Sequence, residues 1–401
     1  MLKIIMQEKE LKKDIVFITG QMNQGGPSRD FLNLCSLIDR NKFNVTLIQI
    51  HKGGQLEKEV PTDVKIKYAR PESLFNNEKD KNRLNIIFWK AIKLIIRILS
   101  KIIKTITGKK DEVNWALTEL FIKKDDENYD LAMSLIEGTS NYYLAKFVNA
   151  GIKIGRIPTD YRVLIDRAGF DGKYFKLLNY IVTNSLINHN YLCEVFPDIK
   201  DRFLYVDTIV IPEQLHKLAE QHDGFLDNFK GKRLTTLARL DDTKGIDLII
   251  ESVNILRNKG KSNFRWYIFG RGDKTKYLKM IDEYKIEEFI CFMEPVPNPY
   301  PFLKQSDIYV QPSRYEGKSN AVKEAKALFK PVIITSFNTA NEHVTHMKDG
   351  IISKEISANA LAESILLLFE NPEIEKAISE YLQMNFKRNS YEFDKVLSLI
   401  E

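Results

Sequence analysis

The sequence predicts an α/β protein with two doubly wound parallel sheets, and three observations support this fold class. Apolar runs typical of buried strands alternate with amphipathic, helix-like segments along most of the 401 residues. This length is sufficient for two domains that each bury a core. The hydrophobic content of 44% and the charged content of 28% are those of globular proteins. The alternation is interrupted once, between residues 83 and 110.

The first half opens with a strand, a loop, a helix and a second strand. We predict the strands at 14–19 and 45–50 and the helix at 28–37. A strand–helix–strand unit of this kind indicates a parallel sheet. Gly25 and Gly26 precede the helix, and paired glycines allow a backbone to approach a ligand closely, although such a pair is usually just a turn. Further strands are predicted at 129–134 and 181–185.

The second half repeats the alternation with more regular spacing. Strands are predicted at 233–237, 264–269, 290–292, 308–310 and 331–335. Helices are predicted from 246 to 255 and at 277–284, 301–305 and 358–369. Ligands of doubly wound sheets bind at the carboxyl ends of the strands, where these loops converge. The Gly270-Arg271-Gly272 run is only a fragment of a dinucleotide fingerprint, so an NAD enzyme is disfavoured.

The stretch from Ser313 to Ala325 carries the most chemistry. Ser319 or Asn320 is predicted to cap a helix there. Glu324 then falls on the inward stripe of that helix, and a buried carboxylate needs a partner. A capping box does not fit the spacing. A ligand with hydroxyls and phosphates would use Glu324 for hydroxyls and the helix N-terminus with Lys318 for phosphate. A surface ion pair is the alternative that the residues leave open.

Two cations, Arg239 and Lys244, lie five residues apart in the loop after the strand at 233–237. In this position they suit an anion, and each charge-assisted contact contributes roughly 1.5–3 kcal/mol. The alternative is a solvated basic loop in which they pair with Asp241 and Asp242. The residues alone favour that alternative.

The motif as a whole resembles the signature of retaining glycosyltransferases of family 4. Ser-Arg-Tyr-Glu-Gly, then six residues, then Glu-Ala contains the two glutamates Glu316 and Glu324 at the family's spacing. Asn298-Pro299-Tyr300, Ser306-Asp307-Ile308 and Lys330-Pro331-Val332-Ile333 are also similar to that family. The resemblance is strong over about 234–352 and weaker before it.

The resemblance implies the GT-B architecture, in which two Rossmann-like domains face a cleft. Residues 1–208 would form the N-terminal, acceptor-side domain and residues 209–385 the nucleotide-sugar-binding domain. A terminal helix at about 386–401 would cross back to the first domain. The implied activity is a metal-independent, retaining, hexosyltransferase-like transfer from a UDP- or GDP-linked sugar to an acceptor hydroxyl, with no cofactor. The acceptor would be a lipid-linked saccharide or an oligosaccharide in capsule or exopolysaccharide synthesis.

The resemblance also implies roles for residues that match its motifs. Glu316 would contact the donor sugar as the catalytic residue, and Glu324 would accept from ribose hydroxyls. Arg239 and Lys244 would neutralise the diphosphate, which would stabilise the leaving group electrostatically. Backbone N–H groups that face the diphosphate would come from Gly317, Lys318 and Ser319, and from Gly25 and Gly26 of the first domain.

The chain departs from the family pattern at the segment Trp-(Ile/Val)-His-(Thr/Ser)-Asp. Arg156 stands in place of the tryptophan and Pro158 in place of the histidine, while Asp160 remains as an acceptor-side candidate. Asp160 is more readily explained by a structural role. The sequence contains no Asp-x-Asp. His343 and His346 are predicted at i, i+3 on one helix but lack a third ligand, so no metal site is predicted.

A basic segment lies between Arg83 and Lys110, with eight cations and no acidic residue. The rest of the chain is nearly neutral, so we expect an anionic membrane surface and no nucleic acid as partner. Five cations form one stripe of a predicted amphipathic helix opposite an isoleucine-rich face, and it is too charged to span a membrane. These membrane-contact candidates are Lys90, Lys93, Arg97, Lys101 and Lys104. Packing of the apolar face into the first domain is the alternative.

We expect the protein in the cytoplasm, peripheral on the inner face of the plasma membrane. Three widely spaced cysteines and the lack of a secretory apolar region at the start fit that location. Two alternatives to a transferase remain besides an NAD enzyme. One is a nucleotide-sugar epimerase of the same fold, and the other is a non-catalytic partner that binds lipid or another transferase.

Overall fold

The computed structural model describes residues 12–23, 25–69, 94–95, 98, 110–122 and 124–400. The chain divides into two compact units. The first unit comprises residues within Met1–Thr183, His189–Val206 and Phe393–Glu401. The second unit comprises Asn184–Asn188 and Asp207–Glu392.

Thirteen strands are found in the described part of the chain. They are β1 (Lys13–Thr19), β2 (Phe43–Gln49), β3 (Lys65–Tyr68), β4 (Asn128–Ser134), β5 (Asn149–Ile157), β6 (Tyr180–Thr183), β7 (Phe203–Tyr205), β8 (Lys232–Leu237), β9 (Phe264–Phe269), β10 (Ile290–Met293), β11 (Ile308–Gln311), β12 (Val332–Ile334) and β13 (Ile351–Ile352).

Thirteen helices accompany these strands in the same described residues. They are α1 (Gly26–Leu37), α2 (Lys110–Thr118), α3 (Thr139–Phe147), α4 (Ala168–Phe175), α5 (Leu186–Val195), α6 (Pro212–Ala219), α7 (Ile246–Asn258), α8 (Thr275–Tyr284), α9 (Tyr300–Gln305), α10 (Asn320–Ala327), α11 (Ala358–Glu370), α12 (Pro372–Asn385) and α13 (Tyr391–Leu397).

Both units contain a parallel sheet whose strand order reverses once. The order is β3-β2-β1-β4-β5-β6-β7 in the first unit and β10-β9-β8-β11-β12-β13 in the second. The reversal lies between β1 and β4 in the first unit, and we call the loops at their carboxyl ends the first switch point. The loops after β8 and β11 form the second switch point. Ligands of open α/β sheets bind in the crevice at such a point.

The central strands read as continuous apolar runs because helices cover both faces of each sheet. In β1, Ile15, Val16, Phe17 and Ile18 are all fully buried. In the second unit, Trp266 on β9 is buried and donates its indole N–H to Thr236 Oγ1 of β8 at 3.0 Å. The predicted fold class of two Rossmann-like α/β units is confirmed.

Most predicted elements lie within a few residues of the observed ones. The expectation that His343 and His346 share a helix is wrong. The chain forms a short 3-10 turn at Ala340–Glu342, and His346 then makes an isolated bridge to Gly350. The predicted basic helix lies outside the described residues, apart from Leu94, Ile95 and Ile98, which are helical and about half exposed. Among the described helices, none is long and apolar enough to cross a membrane.

Candidate functional site

The second switch point is built by a close approach of two loops. Gly245 follows the 3-10 turn Asp242–Lys244 and has a φ of 66°. A Cβ at this position would lie 2.0 Å from the Pro312 carbonyl oxygen, so only glycine fits. The Arg314 backbone N–H donates to the Thr243 carbonyl at 2.8 Å. The loop after β8 is therefore held directly against the loop after β11.

Arg314 fixes the two loops further with a bidentate ion pair. Its Nη1 and Nη2 atoms lie 2.9 and 2.5 Å from the two carboxylate oxygens of Asp247, at the start of α7. Nη1 also donates to the Asp242 carbonyl at 2.8 Å. A planar guanidinium matches the two oxygens of a carboxylate, so this bidentate ion pair fixes the orientation of both side chains. Sequence reasoning gave Arg314 no role, and its only sequence signal was its place inside the motif.

Glu316 lies at the centre of a hydrogen-bond network. Its Oε1 atom accepts from Lys244 Nζ at 2.6 Å, from Ser313 Oγ at 2.7 Å and from Gln311 Nε2 at 3.0 Å. The Glu316 and Lys244 side chains are only 10% and 17% exposed. A pair this deeply buried is stable only when further hydrogen bonds satisfy its atoms, which Ser313 and Gln311 provide. The structure thus brings two of the predicted site residues into direct contact.

A buried tyrosine extends this hydrogen-bond network. The Tyr309 hydroxyl donates to Gln311 Oε1, and both residues are buried on β11. Burial raises the pKa of Tyr309 well above its ordinary value, and the charges of Glu316 and Glu324 raise it further. The phenol therefore stays neutral and keeps its donor. Both glutamates of the motif lie close enough to influence the same hydroxyl.

Helix α10 begins as predicted, with Ser319 at the N-cap position. The Ser319 side chain makes no capping hydrogen bond in the described structure, although the sequence predicted one. Lys318 Nζ lies 3.4 Å from Asp207 Oδ1, and Lys323 Nζ lies 2.8 Å from Asp207 Oδ2. Burial would raise the pKa of Asp207, but the two lysines hold that pKa below its ordinary value. Asp207 is thus the anion that makes a lysine in the first helical turn acceptable.

Glu324 lies at the margin of the buried side of α10. The buried residues of the helix are Val322, Ala325, Lys326 and Ala327, while Glu324 is half-buried. Sequence reasoning missed Lys326, which donates to Asp349 Oδ2 and to the His343 carbonyl, both at 2.7 Å. A lysine inside an otherwise apolar stripe was the signal that could have indicated this buried pair.

The two cations predicted to bind diphosphate have different surroundings. Arg239 is 75% exposed, and its Nη2 atom lies 3.3 Å from Asp241 Oδ2. This contact is the pairing with a neighbouring acidic residue that the sequence left open. Lys244 instead turns inward to Glu316. Gly317 and Ser319 are buried beside this pair in the same loop.

The predicted residues of the first unit lie in two loops. Gly25, with a φ of 145°, is the N-cap of α1, and Gly26 is the first residue of that helix. Asp160 is buried and caps the 3-10 helix Tyr161–Arg167 by accepting from the Arg162 N–H at 3.1 Å. It also pairs with the Arg162 guanidinium at 3.0 Å. These contacts describe a structural role for Asp160.

Arg156, which replaces the family tryptophan, forms an ion pair inside the first unit. Its Nη2 atom lies 2.7 Å from Asp30 Oδ2 on α1, and the side chains are 7% and 9% exposed. The backbone of Arg156 is fixed as well, because its N–H donates to Ser134 Oγ and Asn141 Oδ1. Sequence reasoning missed this buried pair, which ties β5 to the helix behind Gly25 and Gly26.

Two residues after β12 are architectural. Glu342 accepts from Ser185 Oγ and from the backbone N–H groups of Leu186 and Ile187, at 3.1, 3.1 and 2.7 Å. Burial lowers the pKa of His343 to about 4, and its Nε2 lies 3.4 Å from Thr339 Oγ1. In the described ranges, no group of three or more histidines, cysteines or carboxylates could hold a metal ion.

Comparison with known proteins agrees with this fold. Residues 219–384 match the family model of glycosyl transferases group 1. This matched part of the chain contains the second switch point. The glycosyltransferase resemblance is confirmed at this level, and the narrower assignment to family 4 stays a prediction.

Relatives of similar sequence are named as glycosyltransferases. An uncharacterized glycosyltransferase of Methanocaldococcus jannaschii is 26% identical over 232 residues, 55% of this chain and 59% of that protein. The capsular polysaccharide biosynthesis glycosyltransferase CapM of Staphylococcus aureus is 26% identical over 175 residues, 43% of each chain. N-acetylgalactosamine-N,N'-diacetylbacillosaminyl-diphospho-undecaprenol 4-alpha-N-acetylgalactosaminyltransferase of Campylobacter jejuni is 25% identical over 169 residues, 42% of this chain and 44% of that protein. The matches span about half the length of these relatives.

Solved structures share the fold over nearly the whole chain. The crystal structure of TarM matches with a TM-score of 0.68 at 15% identity and covers 98% of this chain and 100% of that one. The crystal structure of Anabaena HepE in complex with UDP-glucose matches with a TM-score of 0.65 at 13% identity, over 93% and 94% of the two chains. The GT-B fold class expected from the sequence is confirmed.

Proposed function

We propose that the protein is a retaining glycosyltransferase that moves a sugar from a nucleotide sugar to an acceptor hydroxyl. The observation that carries this proposal is the contact between Lys244 and Glu316 at the second switch point. Both residues lie in the part of the chain that matches the family model of glycosyl transferases group 1. A cation and a carboxylate fixed together at the carboxyl ends of β8 and β11 suit a ligand with both phosphates and hydroxyls.

Lys244 would neutralise the donor diphosphate while it keeps its contact with Glu316. A lysine ammonium has three N–H donors, and Glu316 Oε1 uses one of them. A diphosphate oxygen can therefore take another without breaking the ion pair. As the bond to the sugar breaks, negative charge grows on the diphosphate, and a fixed cation there stabilises the transition state.

Glu316 and Glu324 would bind the hydroxyl-rich parts of the donor. Glu316 has only one of its two oxygens in the described network, which leaves Oε2 to accept from a sugar hydroxyl. Glu324, at the margin of α10, would accept from ribose hydroxyls. Arg239 would add a second cation by leaving its half-buried partner Asp241. Gly317, Lys318 and Ser319 would offer backbone N–H groups. No metal ion is needed in this arrangement.

The names of relatives and structural neighbours support the proposed donor and acceptor classes. HepE has been crystallised with UDP-glucose, which supports a nucleotide-sugar donor here. The names of the Staphylococcus and Campylobacter relatives refer to capsular polysaccharide and to a diphospho-undecaprenol acceptor. We therefore propose a lipid-linked saccharide of a cell-surface polysaccharide as acceptor.

The test is a turnover assay with a panel of UDP- and GDP-linked sugars, with and without saccharide acceptors, followed by NMR of the products. We expect nucleotide release that depends on acceptor, and a product that keeps the anomeric configuration of the donor. An epimerised sugar or nucleotide release unaffected by acceptor would instead indicate an epimerase. Binding without any turnover would indicate a non-catalytic partner, which the replacement of the family histidine by Pro158 would explain.

We further propose that the protein is peripheral on an anionic membrane. The basic stripe of residues 90–104 supports this, since each cation near an anionic surface contributes about 1 kcal/mol. In liposome flotation, we expect binding that requires anionic lipid, falls with salt, and weakens when Lys93, Arg97 and Lys101 become glutamate. The matched control reverses the exposed lysines Lys176, Lys276 and Lys304, which are 61%, 54% and 46% exposed. Binding that is insensitive to salt, or equal in both triple variants, would contradict the proposal.

A further inference from the structure

The contact between Lys244 and Glu316 joins two loops that lie 72 positions apart in sequence. Burial does not hold the residues immediately before Lys244, because Asp242 and Thr243 are both exposed. An exposed loop with few apolar contacts opens easily unless polar contacts fix its backbone. Lys244 therefore needs a further interaction that keeps it beside Glu316.

Arg314 supplies contacts on both sides of Lys244. Before the lysine, the Arg314 backbone N–H donates to the Thr243 carbonyl and Nη1 donates to the Asp242 carbonyl, both at 2.8 Å. After the lysine, Nη1 and Nη2 donate to the two carboxylate oxygens of Asp247 at 2.9 and 2.5 Å. One arginine therefore holds the loop after β8 at positions that bracket Lys244.

The Arg314 guanidinium is fully engaged with the protein on the side that faces this loop. Both N–H groups of Nη1 and one of Nη2 have acceptors there. Burial would raise the pKa of Asp247, but the hydrogen bond and the charge of Arg314 hold that pKa below its ordinary value. Asp247 therefore stays ionised at neutral pH and the ion pair persists. A ligand could take these donors only by releasing the loop, so Arg314 would act through its neighbours.

The contact that Arg314 supports tolerates little movement. Arg314 precedes Glu316 by two residues, and Lys244 Nζ lies 2.6 Å from Glu316 Oε1. A shift of about 1 Å in either loop would carry the two atoms beyond hydrogen-bonding distance. A misplacement of this size can lower an enzymatic rate by about a hundredfold.

We propose that Arg314 and Asp247 are positioning residues of the donor site. Without touching the nucleotide sugar, they fix the loop after β8 so that Lys244 meets both Glu316 and the donor diphosphate. Loss of either partner leaves Lys244 in the chain but lets its loop move away from Glu316. The inference rests on the proposed function in taking the ligand of Lys244 to be a nucleotide diphosphate.

The test is a double-mutant cycle on nucleotide binding, which does not depend on sugar transfer. Calorimetry measures the affinity of UDP and GDP for the wild type, Arg314→Ala, Lys244→Ala and the double variant. We expect Arg314→Ala to lower the affinity about tenfold in the wild-type background and less than about twofold in the Lys244→Ala background. Arg314 has no lysine left to position in the second background, whereas a general weakening of the unit would lower the affinity equally in both.

Arg257→Ala is the matched control. Arg257 lies near the other end of α7 from Asp247, and its Nη1 atom donates to the carbonyls of Tyr284 and Lys285, both at 2.8 Å. This variant loses comparable hydrogen bonds on the same helix but leaves the loop of Lys244 intact. We expect its nucleotide affinity to equal that of the wild type.

Asp247→Asn provides a second variant in case Arg314→Ala folds poorly. It keeps the shape of the side chain and removes the charge that holds the guanidinium. We expect a smaller loss of nucleotide affinity, about threefold, which again disappears in the Lys244→Ala background.

Three results would overturn the inference. These are unchanged affinity in both Arg314→Ala and Asp247→Asn, equal losses in the two backgrounds, and an equal loss in the Arg257→Ala control. Failure of UDP and GDP to bind the wild type would overturn it together with the donor assignment. Failure of the proposed function alone is distinguishable, because sugar transfer is then absent from the turnover assay while the coupling in nucleotide binding persists.

Discussion

The two switch points share a topology and differ in how their carboxylates are satisfied. At the second, Oε1 of Glu316 accepts from one cation and two neutral donors. At the first, Glu137 accepts from one threonine, and its other oxygen is buried without a partner within the described chain. The same strand order therefore places a carboxylate paired with a lysine in one unit and a carboxylate with one buried, unsatisfied oxygen in the other.

The difference arises from what each neighbouring loop contributes. In the second unit, Gly245 allows the loop after β8 to contact Pro312. This close approach places Lys244 beside Glu316, with which it forms an ion pair. In the first unit, Arg167, whose charge acts on Glu137, is already engaged with Tyr142 and Asp171.

The largest expected effect comes from breaking the charged site. Lys244→Ala and Glu324→Gln should each fold and should each lower the rate of sugar transfer by ~10²–10³, the usual cost of removing one stabilising group at such a site. Steady-state turnover with the best nucleotide sugar measures this. Lys276→Ala, which removes a half-exposed lysine paired with Asp242, is the control for the first variant.

Stability separates a lost function from a lost fold in this experiment. Lys244→Ala leaves Glu316 without its cation, which should destabilise the second unit, whereas Lys244→Ala with Glu316→Gln should recover most of that stability. Transfer should stay low in the double variant. Recovery of transfer together with stability would mean that the pair is structural only.

The next effect concerns pH and has opposite signs at the two switch points. The pKa of His343, beside the Glu316 loop, is lowered by burial from 6.5 to about 4, so the unfolded chain binds the proton at higher pH than the folded chain. The free energy of unfolding should therefore fall by about 3 kcal/mol as the pH drops from 6.5 to 4. Glu137 has a raised pKa, so its contribution falls as the pH rises through that pKa.

Urea denaturation measures the free energy of unfolding of the wild type, His343→Gln and Glu137→Gln across this pH range, which checks the two opposite pH dependences. His343→Gln should flatten the acid side of the profile relative to wild type. In Glu137→Gln, the free energy of unfolding should fall less than in the wild type as the pH rises. Identical profiles for the wild type and His343→Gln would show that the histidine does not couple protons to folding.

The smallest expected effect is the response to chelators. Because Lys244, Arg239 and the start of α10 supply the positive charge for the donor, EDTA should leave the transfer rate unchanged. The assay is the same turnover measurement with and without EDTA. Loss of activity that added magnesium or manganese restores would show that the second switch point needs a metal ion.

Local pattern predicted much of this fold, and contacts distant in sequence account for what it missed. The run 264–269 and the helix start near Ser319 follow from apolar periodicity and capping preferences, and the structure places β9 and α10 there. The Arg314–Asp247 fork and the Arg156–Asp30 pair join residues 67 and 126 positions apart. No local signal specifies such partners.

The same limit applied inside the candidate site. The motif identified Glu316 and Glu324, but it could not tell that Lys244 turns inward while Arg239 stays 75% exposed. Both are single cations in a loop, and their difference arises from the left-handed backbone at Gly245 that places the loop. Glu137 escaped notice because its unusual property, an unsatisfied buried oxygen, exists only in the folded chain.

The most direct test of the central claim is a calorimetric titration of UDP and GDP into the wild type and three lysine or arginine variants, with EDTA present. We predict that one nucleotide binds the wild type. Its affinity should fall about ten- to a hundredfold in Lys244→Ala, less in Arg239→Ala, and not at all in Lys276→Ala. Equal affinity in the wild type and Lys244→Ala would contradict the assignment of the second switch point as the diphosphate site.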